Sequence, residues 1–412
     1  MIRAVLVTGA VLFAAVISGC GGGNKSSNAN VSHVLKRALV SNDISSTLQI
    51  IDASRDINSG FTITASSRPG PMLLSADKKK TVIFSLSANA LQLLDNATEM
   101  ITATVPLQDA SSSFVLLSDD ATAFASVRNA GAVDVVNLST SVVSSVISVS
   151  SPNRLVLSNN GGKLLVFPDP RAGIDTVTVI DTGSKAVTAT IGGFSRPVFG
   201  VFTSDDTKAY IMNCGPECGG AAADANGNTS VSVLDMTANP PAITQSVVVS
   251  AATVGLLNGG SLYVAGTPPG ADCAGSPPGL TCGRLNVVNT SNLTVSTTGV
   301  VISDGFHDRM VSTSNNRVYI GARTCTNIQA SSSASARGCL SIFNTSSNTA
   351  VVPPTFGDVT GIAPIMGRDV VYVVQQGPNQ NGELEIFDTA TDALQPTQID
   401  IVGDAIDVVD IE

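Results

Sequence analysis

Eight times along the chain, an alternating apolar segment ends in Asp or Asn and is followed by a small or polar turn residue. The copies are LQIID ending at Asp52, LQLLD at Asp95, VDVVN at Asn137, VTVID at Asp181, VSVLD at Asp235, LNVVN at Asn289, LSIFN at Asn344 and LEIFD at Asp388. Successive copies lie 43, 42, 44, 54, 54, 55 and 44 residues apart. A helical repeat of this length would place apolar residues at i, i+3 and i+4, whereas these segments alternate with period two and so read as strands. A period of about 40–45 residues holding four strands is that of a β-propeller blade.

The flanks of each copy supply the other three strands. Upstream lie segments such as KAYIMN (Lys208–Asn213), SLYVAG (Ser261–Gly266) and RVYIGA (Arg317–Ala322), and before them an apolar strand with a polar turn, as in VFTSDDTKAY (Val201–Tyr210). Downstream comes a fourth strand, such as AVTATIGG (Ala186–Gly193). Each unit therefore reads A, B, C, D. The first unit begins at its B strand, near Arg37, and one strand, DAIDVVDIE (Asp404–Glu412), is left over at the other end. The 24 residues after Asp388 and the 18-residue step from about Val34 to Asp52 together make one period. The last strand is thus expected to complete the first blade, with Ile406 and Val408 buried, and to leave no open edge. The fold class is all-β, an eight-bladed propeller over residues 34–412; seven blades is the alternative.

The stretch Val177–Asn213, VTVIDTGSKAVTATIGGFSRPVFGVFTSDDTKAYIMN, resembles the bacterial YVTN-type β-propeller repeat. It shows a valine-rich strand, Ile-Asp-Thr, a strand ending in Gly, a Pro, an apolar strand, an acidic turn and a Tyr-containing strand. Elsewhere the pattern is degenerate, and the family's Ser-Pro-Asp-Gly turn appears as Ser-Asp-Asp or Ser-Asn-Asn. The resemblance implies a fold and leaves function open. The chain contains no Trp, which sets it apart from Trp-Asp propellers.

Residues 1–19 read as a signal peptide. Arg3 precedes an apolar stretch from Ala4 to Ile17 that is too short to span a bilayer. It ends in Ile17-Ser18-Gly19-Cys20, which looks like a bacterial lipobox with Cys20 as the lipidated residue. A Gly/Ser/Asn-rich tether follows, so that residues 20–33 form the anchor and linker. Gly21 in place of Asp favours the outer membrane over inner-membrane retention. The expected location is the cell envelope, with the lipid as the membrane contact.

Six further cysteines fall as Cys214/Cys218, Cys273/Cys282 and Cys325/Cys339, each pair between a B and a C strand of a lengthened unit. In an exported chain this reads as three local disulfides. Zinc would need four ligands, and the propeller, residues 34–412, contains one His, His307. Asp224-Ala-Asn226-Gly-Asn228 matches part of a calcium loop but lacks the distal Glu. No metal and no cofactor is assigned.

With a net charge of −10 and 4% aromatic residues, the chain suits neither phosphate backbones nor base stacking, so no nucleic-acid partner is expected. The acid pairs Asp119-Asp120 and Asp205-Asp206 sit where A–B turns are expected and read as turn residues. The densest polar cluster is His307-Asp308-Arg309, leading into the inner strand of blade seven. Arg68, Arg154 and Arg196 take similar places before blades two, four and five. D–A and B–C loops of a propeller share one face, which makes these six residues candidates for binding at the channel mouth; the alternative is that they cap loop carbonyls. The expected function is a monomeric, non-enzymatic binding or scaffold module for an envelope protein or small ligand. The alternative is an enzyme resembling propeller lactonases or quinoproteins.

Overall fold

The computed structural model describes residues 31–412 apart from 67, 221–227, 270–281, 314, 326–337, 354–356 and 377–381. It contains eight four-stranded antiparallel sheets arranged as the blades of a propeller, which settles the blade number at eight. Blades 2 to 8 each use four consecutive strands, ordered A to D from the channel outwards. Blade 1 is built from both ends of the chain: its B, C and D strands are Arg37–Asn42, Thr47–Asp52 and Ile57–Thr64, and its inner strand is Ala405–Asp410. Leu39 pairs with Val409 and Val40 with Val408.

The repeated Asp or Asn of each C strand does one job eight times. Its side-chain oxygen accepts a backbone N–H two or three residues on, as in Asp52 from Ser54, Asp95 from Thr98, Asn137 from Thr140 and Asp181 from Ser184. The same bond recurs at Asp235, Asn289, Asn344 and Asp388. This Asx turn sets the C–D corner. The acid pairs are turn residues too, as read. Asp119 accepts from Ala121 and Thr122, while Asp120 reaches back to the N–H groups of Ala76 and Asp77 in the preceding blade. Asp206 likewise holds Asn159 and Asn160 of blade 4.

Eight apolar clusters fill the eight blade–blade interfaces. Tyr210, Tyr263, Tyr319 and Tyr372, the only tyrosines of the chain, occupy the same B-strand position in blades 5 to 8. One polar residue recurs inside this core: Gln49, Gln92, Asp134, Thr178, Ser232, Asn286, Ser341 and Glu385 each stand second in their C-strand motif, and all are buried. In four blades this residue ties down the loop that leads into its own inner strand. Gln92 accepts from Ser66, Asp134 from Gln108 and Asn286 from Ser250, and Ser341 accepts from Ser303.

The inner strands share a further device. In seven blades the pairing of A with B slips near the start of A, leaving a bulge at, for example, Asn153, Asp308 and Ile406. A bulge re-aims the residue after it. It also corrects the expected alternation of the last strand: Ile406 is the unpaired bulge residue and is only half-buried, while Ala405, Val408 and Ile411 are buried. Three disulfide sites were expected. Cys214–Cys218 and Cys325–Cys339 are formed, with Cα atoms 5.6 and 5.7 Å apart. Cys282 is disulfide-bonded, and Cys273 lies outside the described residues.

Candidate functional site

The residues that follow the bulges stand at equivalent positions around the channel: Met72, Ser113, Arg154, Phe199, Arg309, Gly361 and Asp407. Most are small or apolar. Blades 4, 7 and 1 place charges there instead. The guanidinium of Arg154 lies over the Phe199 ring of the next blade, 4.8 Å from its centre. Across the channel, Asp308 pairs with Arg323 at 2.9 Å and with Arg309 at 3.4 Å. Arg309 also donates to the Val359 carbonyl at 3.3 Å. Burial pulls the pKa of both Arg154 and Arg309 down, and the Asp308 carboxylate opposes this in each case. Arg154 feels Asp308, Arg309 and Arg323 together, so charges from blades 4 and 7 meet in one place.

Asp407 completes the ring. Its carboxylate accepts from the N–H of Met72 at 2.8 Å and from that of Val408 at 2.9 Å. Gly361 makes room for it, since a Cβ there would stand 2.9 Å from Asp407 Oδ1. Burial pushes Asp407 up to about 6, with Arg309 the main opposing influence.

Above these charges, on the face of the D–A and B–C loops, lies a cavity of about 360 Å³. Arg128, Asn153, Asp169, Arg171, Glu217 and Phe306 line it, from blades 3, 4, 5 and 7, so it bridges the channel mouth. Arg128 is ion-paired with Asp169, which also caps the short turn Pro170–Ala172 through the N–H of Arg171. Glu217 belongs to the turn closed by Cys214–Cys218. It accepts from the N–H groups of Thr267 and Ala252 and so fastens that turn to blade 6. Glycine at 266 permits this close approach: a Cβ there would lie 2.5 Å from Glu217 Oε2 and 2.9 Å from the backbone nitrogen of Ala252. Burial raises Glu217 to about 7.

The six expected binding residues divide three ways. Arg154, Asp308 and Arg309 come together in the channel. Arg68 and Arg196 do not join them. Each precedes a proline in a left-handed conformation, with φ of 57° and 53°. Arg68 donates to the Asp43 carbonyl, and Arg196 donates to the Pro170 carbonyl, which supports the cavity wall from behind. Both are loop caps. The residue equivalent to them in blade 4 is Ser151, also before a proline and at φ 48°, so Arg154 is not their counterpart. His307 is fully buried, and desolvation pushes its pKa down to about 4, which makes it a neutral core residue. Sequence reasoning missed Arg323, Asp407 and Glu217. For Asp407 the available signal was a charge flanked on both sides by apolar residues in the middle of the inner strand AIDVVD.

Asp224 and Asn226 of the partial calcium motif lie outside the described residues. Among the described residues, no group of three or more His, Cys, Asp or Glu side chains converges as metal ligands.

No family model matches the chain, and no curated protein matches it. Solved structures do. Kuenenia stuttgartiensis hydrazine synthase aligns over 82% of this chain and 96% of its own, at 15% identity and a TM-score of 0.57. The dihydro-heme d1 dehydrogenase NirN, in complex with DHE, aligns over 91% of this chain and 75% of its own, at 10% identity and a TM-score of 0.67. A protein of unknown function from Desulfotomaculum acetoxidans aligns over 77% and 95%, at 16% identity and a TM-score of 0.50. At these identities the likeness is one of fold, and this chain is a β-propeller.

Proposed function

We propose that the chain is a lipid-anchored propeller of a bacterial cell envelope that binds a small ligand at its channel mouth without transforming it. The observation that carries the reading is the 360 Å³ cavity, set over the group of charges that blades 4 and 7 bring together in the channel. Loops on a rigid scaffold are where binding residues concentrate. Here the walls are fixed by the Arg128–Asp169 pair, the Glu217 fastening and the Cys214–Cys218 link, which lowers the ordering cost of binding. Anchoring rests on Ile17-Ser18-Gly19-Cys20.

The test has two arms. In cell fractionation, Cys20→Ser is expected to leave the membrane fraction or accumulate as uncleaved precursor; unchanged processing and membrane association would refute anchoring. In a ligand-observed NMR screen of the full chain in detergent, compounds that bind the natural protein are expected to lose binding to Asn153→Trp, which fills the cavity. A screen without a single such compound refutes the mouth as a binding site.

A further inference from the structure

The channel holds more positive charge than its own carboxylates neutralise. Arg154, Arg309 and Arg323 stand against Asp308 and Asp407, an excess of one positive charge in a chain whose net charge is −10. Asp308 is already shared between Arg309 and Arg323. Asp407 is committed to the N–H groups of Met72 and Val408. Arg154 is half-buried and, among the described residues, donates no hydrogen bond; its close contact is the face of Phe199. A guanidinium stacked on one face keeps its in-plane N–H groups for another partner. Those donors are not sealed from solvent, so a ligand in the channel can reach them, and a planar carboxylate meets two of them at once.

We propose that the mouth binds a small organic monocarboxylate, its carboxylate on Arg154 and its apolar body against Phe306. The excess of one charge matches a monoanion. It matches inorganic phosphate less well, since phosphate near neutral pH is a mixture of mono- and dianion and has no apolar body. Phe306 lines the cavity together with Asn153, the chain neighbour of Arg154, and offers apolar area to the rest of the ligand. The inference rests on the reading of the mouth as a binding site and adds the class of ligand.

Benzoate is the probe, with benzamide and inorganic phosphate as comparators, titrated by calorimetry and saturation-transfer NMR into the full chain in detergent. Benzoate is expected to bind, with benzamide and phosphate each at least about tenfold weaker, as the loss of one charge-assisted contact implies. Arg154→Met keeps the packing on Phe199 and is expected to lose about tenfold or more in benzoate affinity. If that variant does not fold, Arg154→Lys decides the matter: it keeps the charge but not the paired donors, and an unchanged affinity overturns the assignment. Benzamide or phosphate binding as well as benzoate, or an unaffected Arg154→Met, also overturns it. Should neutral compounds bind in an Asn153→Trp-sensitive way while no carboxylate does, the ligand class fails and the binding site stands. Should nothing bind, both fail.

Discussion

Deleting Asp404–Glu412 is expected to remove most of the stability of the ring. The strand buries Ala405 and Val408, and Ile411 just beyond it is buried as well. Val408 and Ile411 alone are worth about 1.5–3 kcal/mol each on full burial. The strand also forms the inner pairing of blade 1, and its loss would bare the edge of Arg37–Asn42. The seam it closes carries further bonds: Arg37 to Glu412 at 2.7 Å, Arg368 to Asp56 at 2.8 Å and Tyr372 to Asp56 at 2.5 Å. Globular domains have only about 5–15 kcal/mol of net stability, so the truncated chain is expected to be unfolded or aggregated. Circular dichroism in urea, with size-exclusion chromatography, measures this. A truncated chain that remains monomeric and keeps its unfolding midpoint would show that the ring does not depend on this closure.

Glu385→Gln should act in the opposite direction and depend on pH. Glu385 is 2% exposed, in the core of blade 8, and its Oε2 has no hydrogen-bond partner. Burial, assisted by Glu383, raises its pKa to about 8 from an ordinary 4.5. In that window the folded state binds more protons than the unfolded one. The stability present below the ordinary value is therefore lost as pH rises towards 8. The cost at pH 8 is on the order of a few kcal/mol. Glutamine does not ionise, so the variant is expected to unfold at a higher urea concentration than the natural protein at pH 8, with little difference at pH 5. Equal midpoints at pH 8 would mean that this carboxyl is ionised at no cost.

The architecture was legible because its signals are local and repeated. Each C–D corner needs an Asx oxygen, and eight of them appear at blade spacing. Closure was legible because the two chain ends together make one period. The channel was not legible in the same way, because its charges come from blades 4, 7 and 1 and are juxtaposed by the ring. The proline that opens the inner strand could have separated Arg68 and Arg196 from Arg154, since Ser151-Pro152 is the matching pair. The bulges escaped notice for a different reason: one unpaired residue in a short strand leaves the apolar pattern nearly intact, as at Ile406. The buried polar residue of each C strand was visible in every motif, but its partner lies in a loop whose sequence varies, Ser66 in one blade and Gln108 in another.

Both described chain ends sit on one side of the disc. Arg37 pairs with Asp52, at the C–D corner of its blade, and Lys36 bonds the Met366 carbonyl in the A–B turn of blade 8. The carbonyl of Glu412 is bonded by Lys78, in the A–B turn of blade 2. The cavity opens on the other side. A lipid on Cys20, as proposed above, would lead into the disc from the face opposite the mouth, so the anchor would not obstruct the cavity. Solutes would then enter the mouth without passing the tether, and anchoring and binding would use opposite faces of the same ring.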